Sequence, residues 1–259
     1  MSATRVEVVI LGSGTSHGIP MIGCTCAVCT SSDPADRRSR PSVFVRFAGQ
    51  RILIDTAPEL RGQCLDNGIN AVDAVLYTHH HADHVMGLDD LRRFNYLMKR
   101  TMPCYGSERT VAGLRRMFPY AFEPDSSGPH SRPHLELVTI GDAPFEIEGA
   151  TVVPLPLMHG PMPVLGFRFG PFAYCTDCSH IPDETMARLA GVEVLILDAL
   201  RRTPHPSHFN LEQAVAVAHE IGAKETYFTH IAHELKHAET NAELPPGMAL
   251  AHDGQRIVL

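Results

Sequence analysis

Thr78-His79-His80-His81-Ala82-Asp83-His84 reads H-x-H-x-D-H, four metal-capable side chains within six residues. It follows Ala71-Val72-Asp73-Ala74-Val75-Leu76-Tyr77, an apolar run with β-branched and aromatic residues that predicts a short buried strand. The donors therefore sit where a strand ends and the chain must turn. In such a loop His79 and His81 can point one way and Asp83 and His84 another, so one short segment can feed two metals. Imidazole suits zinc and iron, and a carboxylate extends the choice toward manganese. The bland alternative is a histidine-rich surface turn. An internal position after a buried strand argues against it.

The rest of the composition is that of an ordinary folded chain. Its 259 residues are 44% hydrophobic and 20% charged, enough for a sizeable core. The formal net charge of −7 argues against broad charge-driven binding of nucleic acid, though not against a small phosphate, because metal cations dominate a local field. No apolar run approaches the roughly 20 residues that a membrane-spanning helix needs. The first residues, Met1 to Glu7, lack a secretory apolar region, so the expected location is the cytoplasm.

Seven cysteines are an odd number for disulfides, and three crowd into Cys24-Thr25-Cys26-Ala27-Val28-Cys29. A C-x-C-x-x-C loop can present three thiolates to one tetrahedral zinc, which then needs a fourth ligand. Nothing adjacent offers one. His233, three residues after His230, is the candidate. Cys175-Thr176-Asp177-Cys178 is a second C-x-x-C, for which a redox role is not expected.

Taken in order, the chain opens on a strand, Val6 to Leu11, and a glycine-rich loop, Gly12 to Pro20, that is not a nucleotide-binding P-loop. That loop either lines the pocket or simply turns the chain, and His17 either reaches the site or is structural. Residues 31–41 form a polar, proline-bounded loop whose arginines are expected to be solvated. A hairpin over 42–55 ends at Asp55, which either orients a ligand histidine or caps a helix expected over Pro58 to Leu65. Helices are expected over Gly87 to Met98, over Arg109 to Met117, and from an Asn210 cap to Ile221. Residues 88–135 are expected to include an insertion that roofs the pocket. His130 and His134 read as surface residues. Strands are expected to precede His159, Asp177 and His230, with another at Val192 to Leu197 and a last one at Gln255 to Leu259. No linker is visible, so one domain over 1–259 is expected, with a zinc-binding loop at about 23–40.

The H-x-H-x-D-H motif resembles the metallo-β-lactamase superfamily. Together with the glycine-rich loop, the C-x-C-x-x-C and the late H-x-x-H, it is similar along nearly the whole chain to the PhnP family of phosphoribosyl cyclic phosphate phosphodiesterases. The resemblance implies an α/β fold, an αβ/βα sandwich of two mixed β-sheets flanked by helices. It implies two divalent catalytic metals, manganese, zinc or iron. His79, His81, His159 and Asp177 would hold one, and Asp83, His84, His230 and Asp177 the other. It implies a structural zinc on Cys24, Cys26, Cys29 and His233, an orienting role for Asp55, and His208 and Asp83 as catalytic residues, His208 without ligating. It also implies a homodimer, no membrane and no nucleic-acid partner.

The implied reaction is hydrolysis of a small, cyclic phosphodiester such as a ribosyl cyclic phosphate by a water activated between the metals. The same motif serves ester, thioester and RNA hydrolysis. The pyrroloquinoline-quinone synthesis protein B family shares part of it, which would make the chain a metal protein without turnover. His208 separates these readings, because a binding protein has no need of a non-ligand histidine beside the metals.

Overall fold

The computed structural model describes residues 5–122 and 132–259. Alternating side chains set its architecture. In β1 (Val6–Gly12), Val6, Val8 and Ile10 face one way and Val9 and Leu11 the other, and both sets are buried. A strand apolar on both faces must lie inside a layered structure.

β1 belongs to a sheet with β2 (Ser42–Phe47), β3 (Gln50–Ile54), β4 (Ala74–Leu76), β5 (Met102–Gly106), β6 (Leu135–Thr139) and β14 (Arg256–Val258), in the order β14-β1-β2-β3-β4-β5-β6. The second sheet holds β7 (Phe145–Ile147), β8 (Ala150–His159), β9 (Met162–Phe169), β10 (Phe172–Cys175), β11 (Val194–Asp198), β12 (Glu225–Thr229) and β13 (Met248–Leu250), in the order β13-β12-β11-β10-β9-β8-β7. Each sheet is antiparallel on one side and parallel on the other: β3 to β6 run parallel in the first, and β10 to β13 in the second.

Between the sheets Val43, Val45, Ile52 and Ile54 meet Phe167, Phe169, Phe172 and Ile196. On the outer face of the first sheet, Val9, Phe44, Leu53 and Val75 pack under α1 (Leu60–Asn67), α3 (Leu91–Met98) and α4 (Glu108–Met117). Outside the second sheet, Ala173, Leu195, Leu197 and Phe228 are covered by α6 (Asp183–Leu189) and α7 (Leu211–Ile221). Two mixed sheets with helices on their outer faces are the sandwich the sequence led us to expect. Short helices α2 (Ala82–Val85), α5 (Pro119–Phe122) and α8 (His237–Glu243) complete the described elements.

Several boundaries moved. The stretch expected to be helical from Gly87 begins with a 3-10 turn, Leu88–Asp90, and becomes α3 at Leu91. Helix α1 starts at Leu60, two residues inside the expected range. Much of 88–135 is not an added roof: β5 is hydrogen-bonded between β4 and β6, and α4 packs on that sheet. The irregular stretch around Pro124, Gly128, Pro129 and His130 lies outside the described residues. No helix among the described residues is long and apolar enough to cross a membrane.

Candidate metal-binding active site

The parallel strands of both sheets end on one edge, the place where α/β proteins collect functional loops. Asp55 follows β3, His79 follows β4, Asp177 follows β10, Asp198 ends β11 and His230 follows β12. Asp55, Asp177 and His230 have φ of 61°, 54° and 60°. This left-handed conformation is sparsely populated by residues with a side chain, and it turns the chain abruptly at each strand end.

Two donor groups come together there. His79, His81, His159 and Asp177 place their ligand atoms within 4.8 Å of one another, and so do Asp83, His84, Asp177 and His230. Asp177 belongs to both. His84 Nε2 lies 3.2 Å and His79 Nε2 3.6 Å from Asp177 Oδ2, and His230 Nε2 lies 3.4 Å from Oδ1. His84 and His230 Nε2 lie 3.4 and 3.5 Å from Asp83 Oδ2. These separations suit a common centre better than they suit hydrogen bonds. Bonds of ~2.1 Å at a tetrahedral angle put ligand atoms ~3.4 Å apart. His79 Nε2 and His84 Nε2 are buried and accept or donate no hydrogen bond. The donor set fits divalent cations.

The opposite ring nitrogens are tied. His84 Nδ1 is 2.8 Å from Asp55 Oδ2, His79 Nδ1 is 3.0 Å from Thr78 Oγ1, and His159 Nδ1 donates to the Ser207 carbonyl at 2.8 Å. Such outer contacts aim each Nε2 inward. Asp55 thus resolves its two readings: its carboxylate holds His84 and the Thr78 amide and hydroxyl, and α1 is preceded by Glu59 without a side-chain cap. Burial pushes Asp83 and Asp177 toward the neutral form, but the surrounding imidazoles outweigh it and hold both carboxyls well below their ordinary value. Burial would likewise lower His84, yet Asp177, Asp83 and Asp55 raise it well above its usual range. That excess of negative charge is what a cation would answer.

His208 sits beside these groups. Its ring stacks on His230 with centroids 4.6 Å apart and lies 4.6 Å from His159. Its position comes from α7, whose Asn210 cap exchanges hydrogen bonds with Gln213, and from Phe209, which donates to the Cys178 carbonyl. His208 Nδ1 is 2.9 Å from Asp198 Oδ2, which also accepts from the Cys178 amide at 3.0 Å. Burial lowers the imidazole, and Asp198 outweighs it, so it is raised to about 9. Divalent cations on the neighbouring residues would bring that value back toward neutrality. Asp198 was not singled out from sequence. It belongs to no motif, and only its place at the end of a fully buried strand hinted at it. Asp198, His208 and His230 also satisfy a metal-like spacing, but the Asp198–His208 hydrogen bond and the 3.9 Å to His230 Nδ1 make this an orienting chain rather than a third centre.

The cysteine loop closes on His233, whose Nδ1 lies 3.2, 3.5 and 3.7 Å from the sulfurs of Cys24, Cys26 and Cys29. Tetrahedral zinc would set such contacts at about 3.6 Å. Cys175 and Cys178 are buried thiols, with Cys175 pushed up to about 12 by burial. His205 is half-buried with its ring 5.1 Å from that of His208, and His17 is exposed.

Buried Arg38 joins the cysteine loop to the turn after His230. It donates to the carbonyls of Ala232 (3.2 Å) and Leu235 (2.7 Å) and pairs with Asp36 at 3.1 Å. Arg38→Ala strands the buried Asp36 carboxylate and is expected to cost about 3–5 kcal/mol of stability. Urea unfolding reads this, and a loss below about 1 kcal/mol, the size of a surface pair, would show that the bridge is unimportant.

Known proteins agree with this geometry. The family described as "Beta-lactamase superfamily domain" matches residues 50–231. A crystal structure described as a new diphosphatase from the PhnP family is 46% identical, superposes with a TM-score of 0.92, and covers 98% of this chain and 97% of its own. Zinc-bound PqqB from Methylobacterium extorquens, at 21% identity and a TM-score of 0.77 over 97% of this chain and 99% of its own, shares the fold. An octanoyltransferase of Porphyromonas gingivalis is 39% identical over 97% of this chain, which spans about half (51%) of that protein's length. The family match and the 46% identity place this chain in the metallo-β-lactamase superfamily, as a metal-dependent hydrolase within its PhnP family.

Proposed function

We propose that the chain hydrolyses a small phosphodiester, a cyclic phosphodiester such as a ribosyl cyclic phosphate being the fitting form. The observation that carries this reading is one carboxylate, Asp177, common to two donor groups, with a non-ligating histidine held beside them. The PhnP-family neighbour, described as a diphosphatase, supports chemistry at phosphorus. His79, His81, His159 and Asp177 would hold one cation, manganese, zinc or iron. Asp83, His84, His230 and Asp177 would hold the other, and Cys24, Cys26, Cys29 and His233 a structural zinc.

Bound there, divalent cations lower the pKa of a water and polarise the phosphoryl oxygens. Asp83, kept ionised, accepts a hydrogen bond from the attacking water and orients it. The water oxygen bonds to phosphorus as the bond to the leaving oxygen breaks. His208, protonated and fixed by Asp198, gives its proton to that leaving oxygen. Asp55, Thr78 and Ser207 keep the ligand rings from turning while charge moves.

Metal analysis paired with hydrolysis of bis(p-nitrophenyl) phosphate tests the reading. About three metals per chain, one resisting chelation, and diester cleavage that falls with the other two are expected. A fully metallated protein inert toward this diester and toward cyclic ribose phosphates would overturn it.

A further inference from the structure

A groove of about 490 Å³ runs beside the metal-site loops, between the glycine-rich loop, the cysteine loop and the start of α1. Its size falls in the ~300–1,000 Å³ range of small-ligand clefts. The glycine-rich loop ties it to the active edge: Thr15 donates to the Ile231 carbonyl at 3.1 Å and Ile231 donates to Ser13 at 2.9 Å, next to His230. His17, two residues past Thr15, lies within ~7 Å of it along the chain. Glu59, on the opposite wall, comes four residues after Asp55, the partner of His84.

The charges lining this groove are mostly spent. Arg40 pairs with Glu59 and donates to the Ser16 carbonyl at 2.9 Å. Arg38 turns into the protein toward Asp36, Ala232 and Leu235. Asp253 accepts from the amides and hydroxyls of Ser13 and Ser39. Two cationic side chains are left. Arg37 and His17 are exposed and have no side-chain partner among the described residues. Beside them Ile22 is fully exposed and Ile19 forms an apolar floor. On a chain of net charge −7, an unspent guanidinium and imidazole over an apolar shelf form a local trap for an anion carried on an organic group.

We propose that this groove holds the far end of the substrate, a second phosphate one sugar-sized spacer away from the scissile one, with Arg37 and His17 as its recognition residues and Ile19 and Ile22 beneath the spacer. The inference rests on the phosphodiesterase reading. It adds that the natural substrate is a phosphorylated sugar or nucleotide diester rather than a bare one.

The test compares a cyclic ribose phosphate with and without a second phosphate on the far carbon of the sugar. The wild type is expected to favour the doubly phosphorylated form by about tenfold in kcat/KM, through KM, as one charge-assisted contact allows. Arg37→Ala should erase most of that preference and His17→Ala part of it, with the singly phosphorylated compound and bis(p-nitrophenyl) phosphate cleaved as before. Equal use of both compounds by the wild type, or a preference that survives both substitutions, overturns the groove while leaving the diesterase intact. If no phosphodiester is cleaved at all, the function itself has failed. Calorimetric binding of a ribose monophosphate then still reads the groove: about tenfold weaker binding to Arg37→Ala supports it, and unchanged affinity refutes it.

Discussion

Asp177→Asn is expected to strip both catalytic cations from the protein while leaving a zinc on the cysteine loop. The carboxylate oxygens of Asp177 lie 3.2 to 3.6 Å from His84, His230 and His79 Nε2, so one side chain completes both donor groups. Asparagine keeps the shape and tolerates the left-handed backbone at this position, φ 54°, better than alanine. The loss is therefore electrostatic rather than conformational. With it goes the charge stabilisation that metals provide, so kcat/KM should fall by about 10⁴-fold or more. The zinc group of Cys24, Cys26, Cys29 and His233 shares no residue with the catalytic groups and should keep its metal. Elemental analysis with circular dichroism checks this. A variant that keeps its full complement of metals would remove Asp177 from the bridging position.

His208→Ala should give the opposite pattern, metals retained and turnover lost. Its ring packs on those of His230 and His159 while its Nδ1 is committed to Asp198. Loss of a proton donor at the leaving oxygen costs about 10²–10⁴-fold in kcat. Asp198→Asn should lower kcat less, by about tenfold to a hundredfold, the range seen for partners that orient a working side chain. Combined with His208→Ala it should add nothing, because a residue acting through another has no effect once that other is gone. An additive double variant would give Asp198 a role independent of His208, and metal loss in His208→Ala would make the histidine a ligand.

The donor residues could be read from sequence because metals admit few side chains and parallel strands deliver them at predictable ends. His79 and Asp177 each follow a short run of buried residues that announces a strand. The zinc loop was readable for the same reason, three thiols at short spacing. Asp198 was not, since a single carboxylate after Val194–Leu197 has no pattern of its own and its meaning appears only when His208 arrives at 2.9 Å. Strand β5 was hidden by Pro103, and β6 by its half-exposed Leu135, Leu137 and Val138, which lack the alternation that marks a strand with one buried face. Asp55 offered two roles because a carboxylate before a helix and one beside a histidine look alike until the fold chooses. The groove at Arg37 and His17 draws its walls from three separated stretches, and no local reading joins them.

The left-handed turns at Asp55, Asp177 and His230 have a consequence for how such a chain can evolve. Each holds a residue with a side chain where glycine would rest more easily, at a cost of roughly 1–3 kcal/mol apiece. Selection for heat resistance alone would favour relaxing these positions first, and every such step would discard a group that touches the site. Lineages that keep the fold but abandon the chemistry are expected to show glycine or asparagine here before they change the strands. A search for sturdier working variants does better at solvent-exposed Leu65 or Ile22, where the backbone carries no such burden.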